Sequence, residues 1–202
     1  MIQQAIDLLK ELIAIPSYSR EEKKAADALH QYIESLGYLV HRKDNNSWLM
    51  SPGFDTNKPT ILLNSHIDTV KAVNAWTIDP FSPIEKDGKL YGLGSNDARA
   101  SLVSLLHVFF ILTEKAQSYN LIFAASAEEE VSGTNGMESL LKELPKIDVA
   151  IVGEPTSMQM AVAEKGLMVL DCTTYGKAGH AARDEGENAI YKALQEIEWF
   201  KK

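Results

Sequence analysis

A single cysteine, Cys172, stands in 202 residues. An intrachain disulfide and a thiolate zinc site are therefore both excluded, and a reducing compartment is implied. Long apolar runs are also missing, and no stretch approaches the roughly 20 residues that span a bilayer. The opening, MIQQAIDLLKELIAIPSYSREEKK, reads as an amphipathic helix followed by a polar segment. It lacks the basic start and uninterrupted apolar stretch of a secretory signal. These absences point to a cytoplasmic protein with no membrane partner. Basic charge is scarce: 20 Lys and Arg against 28 Asp and Glu give a net charge of -8, with no basic stripe. Phosphate contact needs clustered cations, so no nucleic-acid partner is expected. What remains is ordinary globular composition, 45% hydrophobic and 24% charged, enough for one substantial core and the start of a second.

Ile2, Ile6, Leu9 and Ile13 repeat at helical spacing, and Pro16 ends that helix. Ser19 followed by Glu22 has the spacing of a capping box for the next helix, which runs through Ala25, Ala28, Leu29 and Ile33 to Gly37. YLVHRKD and NSWLMS read as a hairpin around Asn45-Asn46. TILLNSH, NLIFAAS and DVAIVGE are apolar runs typical of strands buried on both faces. Between them lie a long irregular stretch from Ile67 to Asn96, an apolar helix over 98–114, and a helix in GMESLLKEL. Loops as long as the first are usually functional. Strands alternating with helices predict an α/β domain with a mixed, largely parallel sheet flanked by helices. Past Pro155 the pattern changes. LMVLDCTTYG alternates like a strand and ENAIYKALQEIEWFKK is an amphipathic helix. The chain thus divides into a domain over 1–162 and the beginning of a smaller α+β domain over 163–202.

Four acid- or histidine-bearing motifs fall at the ends of predicted strands or in the loop after one. They are His66 with Asp68, Asp97 in GLGSND, Glu128-Glu129-Glu130, and Glu154 in VGEPT. Open α/β sheets bind ligands outside the carboxyl ends of their strands, so three such strands would bring these residues to one rim. Each motif has a bland reading. The aspartate of a His-x-Asp pair can simply orient the ring, and a Glu triplet is commonly a solvated helix turn. Asp97 could cap the following helix, and Glu154 could be an ordinary turn residue. Their convergence favours a site. A set of histidine and carboxylates suits Zn2+, with Co2+ or Mn2+ as substitutes. Two metals about 3.5–4 Å apart need a bridging carboxylate, and activating water needs a carboxylate base nearby. Adjacent glutamates can supply one ligand and one base.

SHIDTV, WTIDPFSPIEKDGKLYGLGSNDARAS, SAEEEVSGTNGME, VGEPT and GKAGHAARDEGENAI occur in that order between Ile61 and Ile190. In this the chain resembles the dinuclear zinc hydrolases that include acetylornithine deacetylase, succinyl-diaminopimelate desuccinylase, aminoacylase and carboxypeptidase G. The resemblance implies a catalytic domain followed by a lid and dimerisation domain. It implies two Zn2+ ions, one held by His66, Asp97 and Glu154 and the other by Glu130 and a bridging Asp97. Glu129 would be the general base, or Glu128 if the register slips by one, with Glu129 then a ligand. Asp68 would orient His66, and His180 would reach the substrate carbonyl across a homodimer interface. A cis peptide is implied at Asp97-Ala98.

The chain also departs from the family pattern. Leu93, Arg99 and Ala100 stand where the family often has arginine, lysine and glycine. A later family histidine for the second metal has no counterpart here. His30, His41 and His107 read as structural. The sequence is expected to be the first part of a longer enzyme. The implied activity is metal-dependent hydrolysis of the amide of an N-acyl amino acid, acetylornithine-like, to a carboxylate and a free amine. Dipeptide or carboxypeptidase-type hydrolysis, and an inactive metal-binding or dimerising module, are the alternatives.

Overall fold

The computed structural model describes residues 2–163, 165–166, 168–180, 182–183 and 185–201. It divides into two units, Met1–Gln159 and Met160–Lys202.

The first unit opens with helix α1, Ile2–Ala14, which stops two residues short of Pro16, where a missing N–H and a fixed φ forbid continuation. Its buried stripe is Leu8, Leu12 and Ile13, whereas Ile2 is 81% exposed, so the face that packs is rotated from the one the isoleucine spacing predicts. Helix α2, Lys23–Ser35, buries Ala25, Ala26, Leu29 and Ile33 and ends before Gly37 at φ 83°. The predicted capping box does not form. Glu22 accepts from Arg20 N–H and Asn45 Nδ2, and Ser19 is drawn to another partner described below.

Strands β1, His41–Lys43, and β2, Asn46–Met50, form the hairpin, with Lys43 opposite Asn46. Strand β3 is Thr60–His66, β6 is Asn120–Ser126 and β7 is Val149–Val152. The sheet order is β1-β2-β6-β3-β7. The β3–β6 and β3–β7 pairs are parallel and β2–β6 is antiparallel, so the sheet is mixed. Helix α3, Arg99–Thr113, crosses from the end of β3 to the start of β6, the connection that parallel neighbours require.

Successive strand residues face opposite sides, and the core divides accordingly. Leu49, Leu63, Leu121 and Phe123 pack with the buried faces of α1, α2 and α3. Trp48, Leu62, Ile122 and Ala124 pack on the other side against Leu140 of the short helix α4, Met137–Leu140. Two expectations need correcting here. The loop after β3 contains its own hairpin, β4 (Ile84–Lys86) and β5 (Lys89–Tyr91), turned by Asp87-Gly88 with both residues at positive φ. Strand β7, expected to be buried on both faces, is half exposed among the described residues. It lies at the sheet edge with Val149, Ile151 and Val152 half exposed.

In the second unit, helix α5 spans Ala189–Phe200 and is capped by Asn188, whose side chain accepts the Ile190 N–H at 2.9 Å. The predicted strand LMVLDCTTYG does not form. Leu167 lies outside the described residues, and 168–176 has no regular structure. A strand needs a neighbour to satisfy its backbone, and among the described residues of this unit the pairing is the single bridge Lys177–Glu187. Among the described residues, no helix is long and apolar enough to cross a membrane.

Candidate metal centre

Because β3, β6 and β7 run parallel, their carboxyl ends share one rim. His66 is paired with Ser126 and Asn64 with Val152. His66 is 1% exposed, and its two ring nitrogens face different chemistry. Nδ1 lies 3.0 Å from the Asp68 carbonyl oxygen and 3.3 Å from Asp68 Oδ1. Nε2 points the other way, 3.2 Å from Asp97 Oδ1, 3.7 Å from Glu154 Oε2 and 3.8 Å from Glu129 Oε2. A proton on Nδ1 leaves the Nε2 lone pair free to bind a cation.

Asp68 does more than face the ring. Fully buried, its carboxylate accepts the Ser19 hydroxyl at 2.7 Å and the backbone N–H groups of Glu129 at 3.1 Å and Glu130 at 3.2 Å. The histidine-bearing loop and the acidic turn are thus fastened to one carboxylate. The turn itself is sharp: Glu128 sits at φ 54° and Glu129–Val131 makes one 3-10 turn. Glu128 faces away from the histidine side. It is 7% exposed, and its carboxylate takes the side-chain and backbone N–H groups of Asn135. Asp97 joins Ala98 through a cis peptide.

Among the described residues, two groups of three donors lie close enough to hold a cation. One is His66, Asp97 and Glu130; the other is His66, Glu129 and Glu154. The electrostatics fit such an occupant. Burial pushes the Glu130 carboxyl up, and the charges of Asp97 and Glu129 add to this against an opposing pull from His66. Burial likewise raises Glu154, with Glu129, Asp97 and Glu130 adding repulsion. Burial alone would lower His66, but the hydrogen bond and charge of Asp68, with Glu154 and Glu129, outweigh it and place the ring at about 9. Asp68 is held below the usual carboxylate range, because hydrogen bonds from His66, Ser19 and the two glutamate amides overcome its burial. A divalent cation would relieve the crowded negative charge and replace the histidine proton.

Supporting residues escaped the sequence reading. Arg99 is fully buried beneath the centre. Its guanidinium donates to the carbonyls of Leu12, Leu93 and Ile15 and to the Ser17 hydroxyl, while Ser17 donates to the carbonyl of Ile67 at 2.8 Å. Burial lowers Arg99 to about 10. The sequence marks Arg99 as a departure from the family pattern, but its burial depends on acceptors 84 and 87 positions away. In the second unit His180 is exposed, with Nδ1 accepting the Ala182 N–H at 3.2 Å. Cys172 is exposed.

Residues 62–199 match the family model described as peptidase family M20/M25/M40. The chain is 32% identical over 200 residues to acetylornithine deacetylase of Proteus mirabilis (strain HI4320), covering 92% of this chain and 51% of that protein. It is 28% identical over 215 residues to succinyl-diaminopimelate desuccinylase of Delftia acidovorans (strain DSM 14801 / SPH-1), covering 96% and 56%. The chain therefore spans about half the length of the curated relatives it matches. Among solved structures it is similar to an M20 family metallo-carboxypeptidase from Sulfolobus solfataricus, with a TM-score of 0.60 and 22% identity over 73% of this chain and 36% of that one. A model match over most of the chain, the parallel rim and the order of its acidic motifs lead to one conclusion: the chain belongs to peptidase family M20/M25/M40.

Proposed function

We propose that this chain carries most of the catalytic centre of a metal-dependent hydrolase that cleaves the amide of an N-acyl amino acid, acetylornithine-like, in amino-acid biosynthesis. The carrying observation is His66 Nε2 facing carboxylates from three separate segments while Asp68 secures the other side of the ring. Relatives named acetylornithine deacetylase and succinyl-diaminopimelate desuccinylase support the substrate class.

His66, Asp97, Glu130 and Glu154 would hold two divalent cations, Zn2+ by their donor chemistry, with Asp97 bridging. Such cations supply Lewis acidity toward the scissile carbonyl and toward water. Glu129 is assigned as the general base: its carboxylate takes a proton from the attacking water and returns it to the leaving nitrogen. The C–N bond breaks to give a carboxylate and a free amine. Asp68 keeps the His66 proton on Nδ1 and holds the turn that aims Glu129. His180 of the partner subunit in a homodimer is assigned to the substrate carbonyl.

The test is metal content by mass spectrometry on wild type and Glu130→Ala, with hydrolysis of acetylornithine measured beside succinylated diamino acids and dipeptides. Near two zincs falling to one, with acylamino-acid turnover, is the expected result. Preference for dipeptides would move the assignment to a peptidase. A second reading is a metal-binding or dimerising module without turnover. Bound zinc with no hydrolysis of any substrate would select it.

A further inference from the structure

Ser65, just before His66 in β3, is fully buried, and strand alternation turns its side chain away from that of the histidine. Its hydroxyl lies 2.8 Å from the carbonyl oxygen of Gly153 and 3.2 Å from that of Ala98. Gly153 immediately precedes Glu154, and Ala98 immediately follows Asp97. A single O–H serves two acceptors here, with the shorter contact the stronger.

The junction has little slack. A Cβ on Gly153 would come within 2.8 Å of Ser101 Cβ, 2.9 Å of Leu105 Cδ1 and 3.4 Å of Ser65 Cβ. The Gly153 N–H also donates to Asn64 O at 2.7 Å, continuing the β3 pairing one step past the end of β7. The strand carrying His66 is thereby pinned to the two segments that carry Asp97 and Glu154. These carboxylates come from chain positions far apart, so their separation depends on such cross-ties.

We propose that Ser65 is a positioning residue for the metal centre: its buried hydroxyl ties the Asp97 and Glu154 segments to β3 and so sets both carboxylates about His66. This rests on reading His66, Asp97 and Glu154 as metal ligands. Ser126 provides the comparison. It is a buried hydroxyl on the adjacent strand, opposite His66, and its hydrogen bonds run to the Asn64 side chain at 3.2 Å and the Ser65 carbonyl at 3.4 Å.

The experiment titrates Zn2+ against a competing chromophoric chelator, and records the visible spectrum of bound Co2+, for the full chain and its Ser65→Ala and Ser126→Ala variants. Melting of each metal-free protein is measured alongside. Ser65→Ala is expected to bind about tenfold more weakly and to alter the Co2+ spectrum, as loss of outer support for ligands does. Ser126→Ala is expected to bind like wild type even where its melting temperature falls. Wild-type affinity and spectrum in Ser65→Ala would overturn the proposal, as would an equal loss in both variants. If wild type binds neither ion, the metal-centre reading itself fails, a result distinct from either. Should Ser65→Ala not fold, Ser65→Cys fills the space while replacing the hydroxyl with a weak thiol donor; weaker Zn2+ binding than wild type is then expected, and wild-type affinity and spectrum would overturn the proposal.

Discussion

Arg99 carries a guanidinium to full burial without a carboxylate in direct contact, serving instead as a four-acceptor clamp on Leu12, Ile15, Ser17 and Leu93. Its Nε has no partner. Arg99→Met strands those acceptors, and about 3 kcal/mol or more of unfolding free energy should be lost in urea titration. Arg99→Lys keeps a charge but not the fork, so a smaller loss of about 1–3 kcal/mol is expected. Equal stability of all three proteins would remove the clamp from the account. His66 adds a pH dependence. The folded, metal-free ring sits at about 9, against roughly 6.5 when unfolded. A raised pKa contributes stability that is whole below about 6.5 and lost as pH rises through about 9. Metal-free wild type should therefore lose stability relative to His66→Gln across that window. A gap constant with pH would refute the shift.

At the scale of elements, the decisive piece is the turn after β6. Gly133 has no room for a side chain: a Cβ there would lie 1.9 Å from Glu128 Oε2, which Asn135 holds in place. Gly133→Ala should cost about 1–3 kcal/mol through overpacking. Pairing it with Glu128→Ala should recover part of that cost in a double-mutant cycle, because the clash is with that side chain. Additive losses would place the strain elsewhere. On the reading of Glu129 as general base, Glu129→Gln should lower hydrolysis by roughly 10²–10⁴-fold while metal content stays unchanged. Loss of metal in that variant would make Glu129 a ligand instead. The acidic triplet was legible as chemistry in the sequence. Which glutamate faces the histidine was not, since that depends on Glu128 entering the left-handed region at φ 54° and on Asp68 gripping the next two amides.

At the scale of the whole molecule, β7 lies at the edge of the sheet formed by the described residues, with Val149, Ile151 and Val152 half exposed. An apolar strand at an open edge is a template for another chain. The 202-residue chain should therefore associate at high concentration in analytical ultracentrifugation. Ile151→Lys should shift that association to higher concentration with little change in melting temperature. An unchanged profile would mean that the edge plays no part. DVAIVGE misled the sequence reading for a related reason. A continuous apolar run records the surroundings a strand is suited to, and those surroundings are not among the described residues.

The sequence alone determined the elements whose character is local. TILLNSH and NLIFAAS become strands with the bounds their apolar runs imply, Pro16 and Gly37 bound the first two helices, and the order of acidic motifs places the chemistry at strand ends. An Asp87-Gly88 turn signal was present as well, and it makes the β4–β5 hairpin inside a stretch that otherwise reads as loop. Tertiary structure decided the rest, because it rests on contacts between residues far apart in the chain. Ser19 leaves its capping role to bond Asp68 across 49 positions, and Arg99 reaches Leu12 across 87. LMVLDCTTYG had alternation, but its described residues pair with no other described strand. Periodicity reports which face of a segment is apolar, but only packing decides what that face meets and which polar groups it brings together.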